Sequence, residues 1–196
     1  ESPLTMLERA LRFAPAEAPR WLEIWLAEQE PGDRPLSHLC SYAVRLGDFD
    51  RAIAVTNQRI ALAGDADGGV DIRETLVGVL IGAGRLEQAE ATMQQAALRA
   101  AQQVRSAWQQ RRTLERWLEL AEAATSDETA GPLGRRAFER ADALFTAGFG
   151  HCYDNLERLA DCAEAFGASD AYLRLAAARD EERRRLDEQM ARLTAR

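Results

Sequence analysis

The sequence contains no lysine, so all 25 of its basic residues are arginine. It has no run of 18 apolar residues, which excludes a predicted membrane-spanning helix. Its three cysteines are odd in number and lie inside helical patterns, so we expect buried thiols in a reducing compartment rather than a disulfide framework. We interpret the absence of lysine as the codon bias of a GC-rich bacterial genome. The alternative is a selected arginine surface, because arginine makes bidentate contacts that lysine cannot.

A strong basic balance is also absent, since the formal net charge is −7. Nucleic-acid-binding domains normally carry a net positive face, so a nucleic-acid partner is not expected. The chain begins at Glu1 without a methionine or an apolar signal segment, which leads us to expect an excised domain or a processed product. We expect a cytoplasmic location, with any targeting segment of the parent protein missing from the sequence.

Glycine and proline are grouped at a few positions, and the segments between them have the periodicity of helices. Alanine, leucine, glutamate and arginine dominate these segments, and all four are strong helix formers. The pattern predicts ten helices and no strand, with breaks at Glu30-Pro31-Gly32, at Gly64 to Gly69 and near Ala101 to Ser106. The apolar faces predicted to be buried include Leu4, Leu7 and Leu11, then Trp21, Ile24 and Trp25, then Trp108, Leu114, Trp117 and Leu118, and finally Leu173 on the last helix.

A short phrase occurs twice in the chain, 37 residues apart. Each copy reads as a helix end, a glycine, a bulky apolar residue and then an alanine on a new helix: Gly47, Phe49 and Ala52 in the first copy, and Gly84, Leu86 and Ala89 in the second. A recurrence at 20 to 50 residues is typical of stacked helical hairpins.

These residues resemble the tetratricopeptide repeat, a 34-residue helix–turn–helix unit. The first unit offers Leu36, Leu39, Cys40, Gly47, Phe49 and Ala52, the second Leu76, Leu80, Gly84, Leu86, Ala89, Met93 and Ala96, and a weaker third Leu156, Leu159, Ala160, Gly167 and Tyr172. Two positions depart from the family pattern. Arg59 stands where the family has a second-helix alanine, and Arg73 where it has a large apolar residue.

The resemblance implies an all-α fold, a right-handed array of antiparallel TPR-like helical hairpins with about ten helices. We predict an irregular N-terminal cap over residues 1–34 and TPR-like hairpins over 35–124. Beyond the turn-rich run 125–132, residues 133–196 are predicted to form C-terminal hairpins with a long terminal helix, within one continuous array.

No motif of the sequence indicates catalysis, a cofactor or a metal site, and we predict that the chain is not an enzyme. His151, Cys152, Asp154 and Cys162 form the one cluster of ligand-type residues, but metal sites favour closely paired ligands, so capping and packing are the favoured roles. Two aspartates interrupt the glycine-rich stretch from Gly64 to Gly69 and would repel a phosphate. Trp21 and Trp25 lie one turn apart and are interpreted as core residues.

The function predicted from this architecture is a non-catalytic scaffold that binds a peptide or helix of a partner protein. The alternative is a regulatory or sensor module of a larger bacterial signalling or transcription protein. The expected peptide-binding surface comprises His38, Ser41, Arg45, Glu74, Ile81, Arg112 and Arg116. Leu186, Met190 and Leu193 form a thin apolar stripe on the last helix, which offers a contact for a homo-oligomer.

Overall fold

The computed structural model describes residues 2–29, 32–64, 68–101 and 105–194, and these residues form ten α-helices and no strand. The helices are α1 (Pro3–Phe13), α2 (Ala18–Ala27), α3 (Asp33–Arg45), α4 (Phe49–Ala63), α5 (Gly68–Gly82), α6 (Leu86–Ala100), α7 (Ala107–Thr125), α8 (Gly131–Thr146), α9 (Tyr153–Ala165) and α10 (Ser169–Thr194). Short 3₁₀ turns lie at Pro15–Glu17 and Glu128–Ala130. The predicted helix count is confirmed over the described residues. The parts of the predicted breaks at 30–31, 65–67 and 102–104 lie outside them.

The helices fall into two compact units. The first holds α1 to α5 with Thr92–Arg99, and the second holds Leu86–Ala91 with α7 to α10. In the first unit α1 packs on α2, and α4 packs on both α3 and α5. In the second unit α7 packs on α8, and α9 packs on α10. The turn-rich run 125–132 is therefore a tight connection inside a helical hairpin.

The repeated glycine turns have one common geometry. Gly47, Gly84 and Gly167 take φ values of 73°, 70° and 64°, which L-residues with a side chain rarely adopt. At each turn the next residue donates its N–H to a carbonyl five positions back, for example Asp48 to Ala43 at 2.9 Å. This is the Schellman closure of a helix, and it explains why each copy of the repeated phrase has glycine directly after the helix end.

The residue five positions after each turn glycine distinguishes the two strong repeats from the weak third repeat. Ala52 and Ala89 occupy this position after Gly47 and Gly84, and both are fully buried. After Gly167 the same position holds Tyr172, which is only half-buried. A large side chain thus replaces the small packing residue in α10. This accounts for the weaker resemblance of the third repeat to the tetratricopeptide pattern.

Most predicted core positions are buried, but several apolar residues point outward. Ile24 is 36% exposed, and Leu22, at 1%, takes its expected place in the core of the first unit. Trp108 is 62% exposed and Leu173 66% exposed, whereas Leu175 is fully buried. Leu4, also predicted to be buried, is 38% exposed.

On α2 the buried set Ala18, Leu22 and Trp25 follows the 4-then-3 spacing of one helical face, and Ile24 lies off that face.

Arg73, which departs from the family pattern, is buried and folds back along its own helix. Its Nη1 donates a hydrogen bond to the carbonyl of Gly69 at 3.0 Å. A Cβ atom on Gly69 would lie 2.9 Å from that nitrogen, so the glycine leaves the room that the guanidinium occupies. A bonded guanidinium with an aliphatic stem therefore replaces the expected apolar side chain at this position.

Arginine–carboxylate pairs connect helices that are two apart in the chain, with the acid always on the earlier helix. The pairs are Glu8 with Arg45, Glu23 with Arg51, Glu90 with Arg136, Glu122 with Arg158, and Asp142 with Arg174. Glu90 with Arg136 and Glu122 with Arg158 are bidentate, with paired N···O distances of 2.7 Å and 2.6 Å respectively. Each pair lies within one unit, and the two-pronged geometry is one that lysine cannot supply.

The last helix, α10, is 26 residues long, and its last buried residue is Leu175. Beyond Leu175 its side chains are exposed or half-buried over the described residues, including Leu186 at 42% and Leu193 at 68%. No helix in the described parts of the chain combines the length and the apolar character needed to cross a bilayer.

Candidate functional site

The predicted residues of α3 form one exposed stripe, as the sequence spacing requires. His38, Ser41 and Arg45 all lie at the surface, at i, i+3 and i+7. Tyr42 occupies the remaining i+4 position, although it is 95% buried because neighbouring side chains cover its ring. Tyr42 was not among the site residues predicted from the sequence, although its i+4 spacing from His38 could have identified it.

Three side chains enclose the Tyr42 ring. The His38 ring stacks on it with 6.4 Å between centroids, and the Trp25 ring meets it edge-on at 6.0 Å. The guanidinium carbon of Arg45 lies 5.9 Å from the Tyr42 centroid, within cation–π range. The stripe is thus held by an aromatic cluster that links α2 to α3.

Glu8, on α1, fixes the polar end of the same cluster. The Tyr42 hydroxyl donates a hydrogen bond to Glu8 Oε1 at 2.9 Å, and Arg45 Nη1 lies 3.6 Å from Glu8 Oε2. Burial of the phenol, reinforced by the hydrogen bond to Glu8, raises the pKa of Tyr42 to about 12. The Arg45 guanidinium is therefore held in position from two sides while its side chain stays 42% exposed.

A pocket of about 370 Å³ lies beside this cluster in the first unit. Its apolar lining comes from α1, α2, the turn between them and the end of α3, namely Leu11, Pro15, Pro19, Leu22, Ala43 and Leu46. Arg45, Asp48 and Arg51 supply the charged lining. Asp48 caps α4 by accepting the N–H of Arg51 at 3.1 Å, and Arg51 Nη2 lies 2.7 Å from Glu23 Oε1. The pocket combines an apolar wall with two positioned guanidinium groups.

The predicted residues on α5 are less accessible than those on α3. Glu74 is fully buried, so it contributes no accessible surface to a peptide site. Ile81, near the end of the same helix, is half-buried.

The remaining predicted residues, Arg112 and Arg116, lie on α7 in the second unit. The Arg112 guanidinium carbon is 5.7 Å from the ring centroid of Trp108, and Arg116 pairs with Glu119 one turn further along. Trp108 itself projects into solvent. The sequence-predicted set therefore comprises two local surfaces, one on α3 and one on α7.

In the cluster of ligand-type residues, His151 packs against Phe145 near the end of α8. His151 Nε2 donates a hydrogen bond to the Phe145 carbonyl at 2.9 Å, and its ring stacks on that of Phe145 at 4.3 Å. Cys40, Cys152 and Cys162 are free thiols, and burial raises the pKa of Cys162 to about 12. Within the described ranges, no group of three or more His, Cys, Asp or Glu residues has metal-binding geometry.

Comparisons with known proteins identify the class of fold. No family model matches the chain, and no curated protein matches its sequence significantly. Among solved structures, BtubC (BKLC) from P. vanneervenii aligns with a TM-score of 0.63 and 13% identity, over 94% of this chain and 80% of that chain. The nearly identical TPR-like repeats of a Podosopora anserina protein described as a kinesin light chain align with a TM-score of 0.62 and 16% identity, over 94% and 96%.

A third match is MamA (41-end) from Desulfovibrio magneticus RS-1, with a TM-score of 0.55 and 18% identity over 95% of this chain and 94% of that one. These similarities confirm the predicted all-α, TPR-like fold. At such low identity they show the fold alone, so the function must be argued from this chain's own surfaces.

Proposed function

We propose that this chain is a non-catalytic protein-interaction scaffold that binds a peptide or helix of a partner protein along the exposed face of α3. The observation that carries this proposal is the pocket beside Arg45. Proteins recognise peptides by combining an apolar cavity, which accepts a side chain, with positioned polar groups that fix orientation. Here Leu11, Leu22 and Leu46 supply the apolar wall, and Arg45 and Arg51 supply the polar groups.

The charges at the pocket indicate how a peptide would bind. Arg45 and Arg51 each contact a partly exposed glutamate, Glu8 or Glu23, so a carboxylate of the peptide could share or replace these contacts. Arginine binds carboxylates in a two-pronged geometry, which orients the peptide. His38 and Ser41 extend the same exposed stripe and supply hydrogen-bonding groups along the peptide.

A phage-displayed random peptide library, selected against the purified chain, tests this proposal. We expect enriched peptides that carry an apolar residue close to a carboxylate, and that lose at least about tenfold in affinity against Arg45→Ala or Arg51→Ala. Arg140→Ala, at an exposed arginine of α8, is the matched control and should retain full affinity. Failure to enrich any peptide, or equal affinity for Arg45→Ala and wild type, would contradict the α3 site.

The predicted homo-oligomer contact on α10 belongs to the same proposal. Leu186 and Leu193 are exposed on one side of the helix, seven residues apart, beyond Leu175, which is the last buried residue of α10 among the described residues. The double substitution Leu186→Glu with Leu193→Glu should convert any oligomer to monomer in light scattering coupled to size-exclusion chromatography. Leu173→Glu, at a leucine of the same helix that is 66% exposed, is the control. A wild-type chain that is already monomeric at high concentration would contradict this contact.

A further inference from the structure

Trp108 is an exposed aromatic side chain on the first turn of α7. It is 62% exposed, although it was predicted to be buried together with Leu114 and Trp117. Because it precedes these two core residues by six and nine positions, it lies on the opposite side of the helix. Ser106 begins the helix with a capping box, in which its side chain accepts the Gln109 N–H and the Gln109 side chain accepts the Ser106 N–H. The cap fixes the start of the helix, so the Trp108 ring is presented from a rigid element. Exposed tryptophan on a rigid support is typical of a binding anchor.

The charge around Trp108 has the opposite sign to that of the whole chain. In the second unit, residues 105–119 contain four arginines and two glutamates, whereas the chain carries a net charge of −7. Arg112 lies against the Trp108 ring, and Arg105 donates to the hydroxyl of Thr113, five residues after Trp108. The N-terminus of α7 adds the positive end of its helix dipole to this region.

Two glutamates of α7 lie at the C-terminal end of this surface. Glu115 accepts a hydrogen bond from Arg111 Nε at 2.8 Å, and Glu119 pairs with Arg116. Trp108, Arg112 and Arg116 lie at i, i+4 and i+8, and therefore on one side of the helix. We name this set the α7 stripe; it has an apolar end at Trp108 and a basic centre at Arg112.

We infer that the α7 stripe docks an acidic segment of a partner protein that carries a large aliphatic residue. The aliphatic side chain packs on the exposed surface of Trp108, and the flanking carboxylates bind the guanidinium groups of Arg112 and Arg116. Charge complementarity selects this occupant, because the basic surface lies on a chain whose net negative charge repels acidic proteins elsewhere. The inference rests on the proposed function, since it assumes that the chain binds proteins, but it concerns a separate surface in the second unit.

Two peptide libraries test the inference, one built from Asp, Glu, Leu, Ile, Ser and Gly, the other with Asn and Gln in place of the acids. Both are selected against the full chain at low salt. Enrichment is expected from the acidic library, with affinity that falls at least about tenfold for Trp108→Ala and for Arg112→Gln. Leu173→Ala is the control, because Leu173 is similarly exposed in the same unit. Binding should also weaken as salt is raised.

The outcomes separate this inference from the proposed function. Arg45→Ala should bind the acidic peptides as well as wild type does, because Arg45 lies outside the α7 stripe. Enrichment of peptides that depend on Arg45, combined with none that depend on Trp108, would overturn the inference and leave the α3 site intact. Equal enrichment from the neutral library, or no enrichment from the acidic one, would also overturn it. Tighter binding of a single-stranded oligothymidylate than of any acidic peptide would assign the stripe to nucleic acid instead.

Discussion

Tyr42 couples the candidate peptide surface to the core of the first unit. Its ring is buried among Trp25 and His38, while its hydroxyl donates to Glu8. The fold raises the pKa of the Tyr42 phenol from 10.0 to about 12, so the folded state favours the neutral form. The resulting stabilisation is complete below about pH 10 and is lost as the pH rises from 10 towards 12.

Tyr42→Phe should remove this pH dependence. At pH 8 we expect a loss of about 1 kcal/mol in the free energy of unfolding, because one partly buried hydrogen bond disappears. Urea unfolding at a series of pH values from 8 to 11 should then show a shallower decline above pH 10 for the variant than for wild type. Tyr153→Phe, outside the cluster, should keep the wild-type decline. Identical pH profiles for Tyr42→Phe and wild type would show that the Tyr42 hydroxyl is not linked to folding.

Gly134 is a helix residue at which alanine should destabilise the protein. Inside a helix, replacing glycine with alanine ordinarily gains about 1 kcal/mol. A Cβ on Gly134 would lie only 2.5 Å from Phe166 Cζ and 2.7 Å from Ala124 Cβ, so α7 and the end of α9 leave no room for it. Gly134→Ala should therefore lower the free energy of unfolding by about 1–3 kcal/mol through overpacking.

The control for this substitution is Gly131→Ala, at the start of the same helix. A Cβ on Gly131 meets no atom within 4 Å, so this variant should be neutral or slightly more stable. Urea unfolding of both variants measures these changes in the free energy of unfolding. A Gly134→Ala protein more stable than wild type would mean that α8 stands further from α7 and α9 than the structure shows.

At the scale of the helices, the arginine–carboxylate pairs connect helices through a geometry that depends on arginine rather than lysine. Arg158 Nε and Nη2 donate to Glu122 Oε1 and Oε2, both at 2.6 Å, and connect α9 to α7. The hydrogen bonds to Glu122 raise the pKa of Arg158 above its usual value. A lysine at this position would keep the charge and lose the two-pronged geometry.

Arg158→Lys should therefore lower the free energy of unfolding by about 0.5–1 kcal/mol, a small effect because both side chains remain partly exposed. The matched control is Arg184→Lys, since Arg184 pairs with Glu181 within α10 and is 73% exposed. Chemical denaturation should distinguish the two variants. If both substitutions have the same effect, codon bias alone explains the arginine content.

At the scale of the whole molecule, helical repeats contact only their neighbours, so a local defect should spread over a short distance. Gly134→Ala should raise amide hydrogen exchange in α7, α8 and α9 and leave α1 to α3 unchanged. Leu39→Ala, which removes a buried side chain from the first unit, should do the reverse. Hydrogen exchange measured by mass spectrometry checks both patterns. A uniform rise in exchange along the chain for either variant would indicate a single cooperative core.

The sequence determined the elements of this protein because their signals are local. Helix formers at 3.6-residue spacing predicted ten helices, and the two copies of the glycine phrase predicted turns that require a positive φ at Gly47 and Gly84. The face of α3 carrying Leu39, Cys40 and Ala43 was also readable, because the opposite stripe is polar. These features depend on residues within one or two turns of each other.

Tertiary structure decided which apolar residues face inward and which side chains meet. Trp108 and Ile24 were predicted to be buried, yet they are 62% and 36% exposed, because each lies off the face of its helix that carries the buried residues. Glu74 was predicted to lie on the peptide-binding surface. It is buried because α5 is covered on most of its sides. The contact of Glu8 with Tyr42 joins residues 34 apart in the chain. No local pattern encodes such a contact, because it depends on the angle at which one helix packs against the next.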